Sequence, residues 1–322
     1  MKAIRVRATG RPEQLQLEEV PDPVPGSHDL LVQVEAAGLN FLDVYHRSGL
    51  YDIPPPFTPG VEGAGTVVAV GDQVGDFEVG DRVGWTDVIG SYAGLHAVPS
   101  LKAVPIPDGI DTATVAALLL QGLTAHYLAI DTYRLAPGDR CLIHAGAGGV
   151  GLLLTQIAKH RGAEVFTTVG TAEKAELSRQ AGSDHVIVSS SSDFLDGVEA
   201  VTGPKALDVV YDGVGAATFM KSLELLRPRG LMVTFGNASG PVPEISPLLL
   251  ARMGSLFLTR PTMAHYLQTR EELLSRCDDL FAWIGEGSLQ VIIGAEYPLA
   301  EAAEAHRALE GRRTTGKVLL RP

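Results

Sequence analysis

Apolar and polar residues alternate over residues 30–36, with Val32, Val34 and Ala36 on one side and Gln33 and Glu35 on the other, the period of a half-buried strand. Residues 66–70 are more uniformly apolar, and Gly80-Asp81 turns into a further strand at Arg82-Val83. The stretches Pro21-Asp22-Pro23-Val24-Pro25-Gly26 and Pro54-Pro55-Pro56 punctuate this first third as rigid connections. After a break over residues 105–109, Asp111 is placed to cap a helix that runs through Leu120. From about residue 123 the rhythm changes to strands separated by helices and loops, with strands predicted at 141–145, 163–169, 186–188, 208–211, 231–235 and 255–258. Six strands in that rhythm predict a parallel, doubly wound α/β sheet. A helix over 271–285 and a last strand over 317–320 close the chain.

The first strand of that series runs straight into Gly146-Ala147-Gly148-Gly149-Val150-Gly151, and a helix with apolar Val150, Leu153, Leu154 and Ile157 follows. Gly146, Gly148 and Gly151 fit the G-x-G-x-x-G spacing of a dinucleotide-binding crossover. In that pattern the first glycine permits the tight turn, the second lets backbone approach a pyrophosphate, and the third lets helix pack on strand. The helix start at Gly149 and Val150 then offers free N–H groups to phosphate. Three glycines can also serve plain helix–strand packing. Their place between strand and helix, with a second strand at crossover distance, favours the dinucleotide. That second strand closes with Thr167-Thr168-Val169-Gly170-Thr171, without the acid that binds a ribose 2′-hydroxyl, and Lys174 follows one turn later. A lysine and a hydroxyl suit a 2′-phosphate, so NADPH is expected over NADH.

At 322 residues the chain is comfortable as two domains, and 45% hydrophobic against 20% charged residues describes a globular protein with ample core. The formal net charge of −12 argues against a nucleic-acid partner, which needs a basic surface. Two cysteines, Cys141 and Cys277, cannot build a disulfide framework and fit a reducing cytoplasm. The N-terminus lacks the apolar core of a signal peptide, and the most apolar run, residues 115–120, is too short to span a bilayer. The expectation is a cytoplasmic protein with no membrane segment.

The chain resembles the zinc-free quinone oxidoreductases, related to zeta-crystallin, of the medium-chain dehydrogenase/reductase superfamily. The likeness is carried by the glycine turn from Gly138 through Gln156 to Lys159, and by Asn40-Phe41-Leu42-Asp43-Val44-Tyr45, Arg47-Ser48-Gly49-Leu50-Tyr51 and Gly122-Leu123-Thr124. Val210-Tyr211-Asp212, Phe235-Gly236-Asn237 and Thr259-Arg260-Pro261 extend it over nearly the whole chain. The resemblance implies a GroES-like β-barrel catalytic domain built from residues 1–122 and 263–322. A Rossmann NADPH-binding domain over 123–262 stands between those segments, with a cleft at the junction. It also implies a homodimer paired through the strand near residues 255–258.

Alcohol dehydrogenases of this superfamily place a zinc-ligating Cys where Asn40 stands and a His where Gly60-Val61-Glu62 has Val61. No H-x-x-H or comparable ligand spacing replaces them, so no zinc is expected. Without a Lewis acid, hydride delivery suits acceptors that delocalise the resulting charge themselves, namely quinones and α,β-unsaturated carbonyls. By resemblance Asn40 contacts the nicotinamide end or the substrate, and Thr124 sits near the nicotinamide amide. Tyr45 and Tyr51 resemble quinone-site tyrosines that hydrogen-bond a quinone oxygen or relay a proton; core or rim packing is the alternative for each. Phe235, Gly236 and Asn237 end a strand on the carboxyl side, where a doubly wound sheet binds ligand. Arg312 resembles a C-terminal arginine that helps hold the 2′-phosphate. Two departures stand out: Ser189 replaces a Tyr or His near that phosphate, leaving a hydroxyl donor, and Gln121 replaces a Lys. The activity implied is NADPH-dependent quinone reduction. Enone reduction on the same fold and a low-turnover NADPH-binding sensor are the alternatives.

Overall fold

In the computed structural model, which describes residues 1–322, the N-terminus forms an antiparallel hairpin, β1 (Lys2–Val6) with β2 (Leu15–Glu19). β3 (Asp29–Leu39) leads into α1 (Phe41–Ser48), and β4 (Glu62–Val70), β5 (Arg82–Thr86), β6 (Leu95–Pro99) and β7 (Ala103–Pro105) follow. β3 therefore extends three residues beyond the alternating segment, ending among Ala36, Ala37 and Leu39, which are buried on both faces. α2 (Thr112–Tyr127) begins behind Asp111, whose Oδ1 accepts the Thr114 N–H at 2.7 Å.

Helix α2 does not stop at Leu120. It continues through Gly122 and, as a wider turn, to Thr132, giving 21 residues long and apolar enough to cross a membrane by length and composition. This corrects the expectation drawn from the short run at 115–120. Val115, Leu118, Leu119, Leu123 and Leu128 are nevertheless fully buried in the protein, the environment of a core helix.

The chain then alternates β8 (Arg140–Ile143), α3 (Gly149–His160), β9 (Glu164–Val169), α4 (Ala172–Gln180), β10 (His185–Val188), α5 (Phe194–Thr202), β11 (Leu207–Asp212), α6 (Phe219–Leu225), β12 (Leu226–Thr234), α7 (Pro247–Arg252) and β13 (Phe257–Thr259). All six strands run parallel in the order β10-β9-β8-β11-β12-β13, the reversal at β8/β11 marking a Rossmann switch point. Leu142, Phe166, Val210 and Met232 fill its core.

α8 (Arg270–Gly285), β14 (Ile293–Pro298), α9 (Ala302–Glu310) and β15 (Lys317–Arg321) complete the chain. Hydrophobic pattern predicted neither β14 nor α9. No β14 residue is fully buried, and the inward face of α9 is made of Ala302, Ala305 and Ala308 rather than large apolar side chains. A GroES-like sheet, ordered β14-β15-β3-β4-β5-β7 with β6 on β3, closes around Leu30, Val32, Val83, Trp85 and Val98. The two compact units are residues 1–121, 267–286 and 291–322, and residues 122–266 with 287–290. The short return at 287–290 is tied to α3, where Gln156 donates to the Gln290 carbonyl and accepts its N–H at 2.7 Å.

Candidate active site

In the parallel-sheet unit, the turn after β8 shows what each glycine does. The positive φ belongs to Ala145, at 55°, not to Gly146. Gly146 is needed instead because a Cβ there would meet Thr167 Cβ at 2.6 Å and Ser178 Oγ at 2.8 Å. Gly151 brings α3 against the turn itself, since its Cβ would run into the Ala145 carbonyl and the Gly146 Cα. Gly148 has more room, its nearest neighbour being the Ala145 oxygen at 3.2 Å. The turn and helix thus require the first and third glycines, while the second leaves backbone open to an approaching group. Gly148 is also the N-cap of α3 and has no side chain to cap it; no acid lies in the first turn. The N–H groups of Gly149, Val150 and Gly151 have no intrahelical acceptor, which makes this a cradle for an anion.

The neighbouring strand ends carry the other residues singled out in this unit. Thr171 caps α4, its hydroxyl accepting the Lys174 N–H at 3.3 Å. Ser189 follows β10 and gives its hydroxyl hydrogen to the Val169 carbonyl at 3.0 Å. Phe235, Gly236 and Asn237 follow β12. The Phe235 ring lies on Gly213, and the Gly236 Cα presses so closely on the Gly213 carbonyl that no side chain fits. With its amide turned to match its neighbours, Asn237 donates to the Gly236 carbonyl at 3.0 Å and accepts from Arg260 at 3.2 Å.

Two buried groups missed in the sequence hold this edge in place. Asp212 accepts the N–H groups of Val214 and Gly215 and the Thr218 hydroxyl, at 2.7, 3.0 and 2.8 Å. His144 lies between Thr168 Oγ1 at 2.9 Å and Ser222 Oγ at 2.8 Å. Ser222 gives its own hydrogen to Thr218, so His144 carries its proton on Nε2; burial lowers its pKa and keeps it neutral. Thr124 on α2 is buried and hydrogen-bonded to Tyr127, whose ring stacks on Tyr266 at 4.3 Å.

In the other unit, Asn40 follows β3 and caps α1. Tyr45, on α1, is buried and meets Tyr51 edge to face at 5.2 Å; Tyr51 is 38% exposed. The Asn40 side chain is fully engaged within the protein. Its Nδ2 donates to Glu62 Oε2 at 2.8 Å and the Gly38 carbonyl at 3.2 Å; its Oδ1 accepts from Lys317 at 2.8 Å and Gln121 at 3.3 Å. Lys317 and Glu62 form a buried ion pair. Lys317 was illegible as a site residue, because a lysine at the head of an apolar strand reads as a solvated end. Arg312 lies in the turn after α9, with φ at 57°. The structure groups no three His, Cys, Asp or Glu side chains so as to hold a metal ion.

Residues 26–139 match the family model of the alcohol dehydrogenase GroES-like domain, and residues 149–281 that of the zinc-binding dehydrogenases. The chain is 45% identical to a quinone oxidoreductase of Pseudomonas aeruginosa, over 100% of this chain and 99% of that protein. It is 41% identical to a 2-haloacrylate reductase of a Burkholderia species, over 98% of each. The structure of Escherichia coli quinone oxidoreductase complexed with NADPH superposes with a TM-score of 0.97 at 41% identity, over 100% of both chains.

Proposed function

Because this chain belongs to the quinone oxidoreductases of the medium-chain dehydrogenase/reductase superfamily, we propose that it is an NADPH-dependent quinone reductase that works without zinc. The observation that carries this reading is the glycine cradle, open at Gly148 above the uncapped start of α3. Gly148, Gly149, Val150 and Gly151 would hold the pyrophosphate through backbone N–H groups. Thr171 and Lys174 would take the 2′-phosphate, and the absence of an acid after β9 removes repulsion. Thr124, Phe235, Gly236 and Asn237 are assigned to the nicotinamide half. When bound, the coenzyme supplies a hydride from nicotinamide C4.

Asn40, Tyr45 and Tyr51 are assigned to the acceptor. Either phenol can donate a hydrogen bond to a quinone oxygen and so favour charge arriving there. The donor set around Asn40 supports metal-free chemistry: an amide stands in place of a thiolate, and the nearby Glu62 carboxylate is bonded by an ammonium, an amide and a backbone N–H. A quinone suits such a site because it spreads the incoming charge over its own ring and oxygens. The 2-haloacrylate reductase relative favours a second reading, reduction of an activated C=C bond. The edge strand β13, with Phe257 60% exposed, supports the homodimer.

The test is NADPH oxidation, followed by nicotinamide absorbance, against matched quinones and enones, with NADH and a chelator as controls. Chelator-insensitive quinone turnover is the expected result. Turnover confined to enones moves the assignment to C=C reduction, and NADPH binding without turnover of either leaves a sensor.

A further inference from the structure

Four chain segments converge on one buried polar centre in the barrel unit. Lys317 opens β15 and is 1% exposed; Glu62 opens β4 and is 0% exposed. The Glu62 carboxylate accepts from Lys317 and Asn40 on one oxygen and from the Leu120 N–H of α2 at 2.6 Å on the other. Asn40, just after β3, lies between ammonium and carboxylate. An ammonium has only hydrogens to offer and a carboxylate only lone pairs, so the amide between them has a single allowed orientation. That orientation carries to Gln121, whose Nε2 faces Asn40 Oδ1. Gly38 makes the packing possible: a Cβ there would meet Glu62 Oε2 at 2.6 Å, Lys317 Cε at 2.7 Å and, closer still, the Ala116 carbonyl.

We propose that Lys317 is a positioning residue for hydride transfer, a built-in cation that with Glu62 fixes the Asn40 amide and anchors the start of α1, the helix carrying Tyr45. The proposal rests on the reading of the chain as a hydride-transfer enzyme. Stability alone does not account for the pair, since well-packed apolar residues usually serve as well as a buried ion pair. Precision at Asn40 does account for it. The residue is held at both ends, its side chain by the pair and its N–H by Asp43 Oδ2 at 2.8 Å. Tyr45 lies in the next helical turn and packs on Tyr51, so rotation of the amide loosens the tyrosines assigned to the acceptor.

The experiment compares wild type with Lys317→Met and with the double variant Lys317→Met/Glu62→Gln. The single variant strands a buried carboxylate and is expected to lose stability. The double variant removes both charges and keeps the shapes; circular dichroism establishes that it folds. NADPH affinity, read by fluorescence, is expected within twofold of wild type. In stopped-flow single turnover, the rate constant for NADPH oxidation is expected to fall at least tenfold at full amplitude. Amplitude reports the active fraction and the rate constant reports alignment. A rate constant within twofold of wild type overturns the proposal, whether or not the amplitude has dropped; so does failure of the double variant to fold, which makes the pair structural. The functional reading is judged on wild type alone. If wild type reduces enones but no quinone, that reading falls and the comparison is made with the enone; if it reduces neither, both fall.

Discussion

Tyr92 hands its phenolic hydrogen to Asp43 across 3.0 Å, with both side chains fully buried. Burial raises the Asp43 pKa to about 7, against the pull of the Asn40 N–H, Lys317 and Tyr92. Glu62 adds to the rise, and on the far side of Tyr92 the ring of His306 is kept neutral by burial and by Arg47, its pKa lowered to about 3. The folded carboxyl therefore holds its proton to a higher pH than the unfolded one. Between about pH 4 and 7 the native state binds more protons, so this group's contribution to stability falls as pH rises and its cost is complete above 7. Asp43→Asn removes that titration. The melting temperature of the variant relative to wild type should rise by at least about 2 °C from pH 5 to pH 8, the low end of a 1 kcal/mol effect. Parallel pH profiles would show that Asp43 does not titrate in this window.

Gly148 and Gly151 should separate coenzyme binding from folding. Gly148 has φ −80° and a single tight Cβ contact, the Ala145 carbonyl at 3.2 Å, so Gly148→Ala should cost less stability than Gly151→Ala yet bind NADPH at least tenfold more weakly. Gly151→Ala drives a methyl into the turn backbone and should lose on the order of 2 kcal/mol in denaturant unfolding. Equal effects of the two changes on affinity and stability would contradict this division.

Lys174 and Thr171 carry the expected choice of coenzyme. Lys174→Ala should lower kcat/KM for NADPH about tenfold and leave that for NADH within twofold, the loss of one half-exposed charge-assisted contact to phosphate. An equal fall for both coenzymes would place the lysine away from the 2′-phosphate.

Phe257 on the outer strand β13 tests the homodimer. Phe257→Glu puts a charge at 60% exposure on an edge where wild type offers an aromatic ring. Sedimentation velocity should show a dimer for wild type and a monomer for the variant. A dimer that survives the change does not use this edge.

Much of the fold was legible because it rests on local signals. The strand–glycine–helix series over 141–258 is set by runs of apolar residues punctuated by Gly and Pro, and those runs became the Rossmann sheet at nearly the expected positions. The cradle, too, is a spacing of residues along one turn. Where local signals were weak the reading failed. α9 buries alanines, β14 buries little, and α2 continues through a glycine because most of its surface is covered.

The chemistry around Asn40 was decided by tertiary structure. Glu62 and Lys317 are 255 residues apart, and nothing along either strand announces that the two side chains meet in the interior. The same holds for Ser189, whose hydroxyl meets the Val169 carbonyl at the end of the neighbouring strand. Hydrophobic periodicity and turn residues act over a few positions, so they were enough for the elements with strong local signals, the glycine cradle and the class of coenzyme expected there. Desolvation and hydrogen-bond completion depend on whatever the fold brings alongside each group. Only the tertiary structure therefore decided which polar side chains are spent on one another.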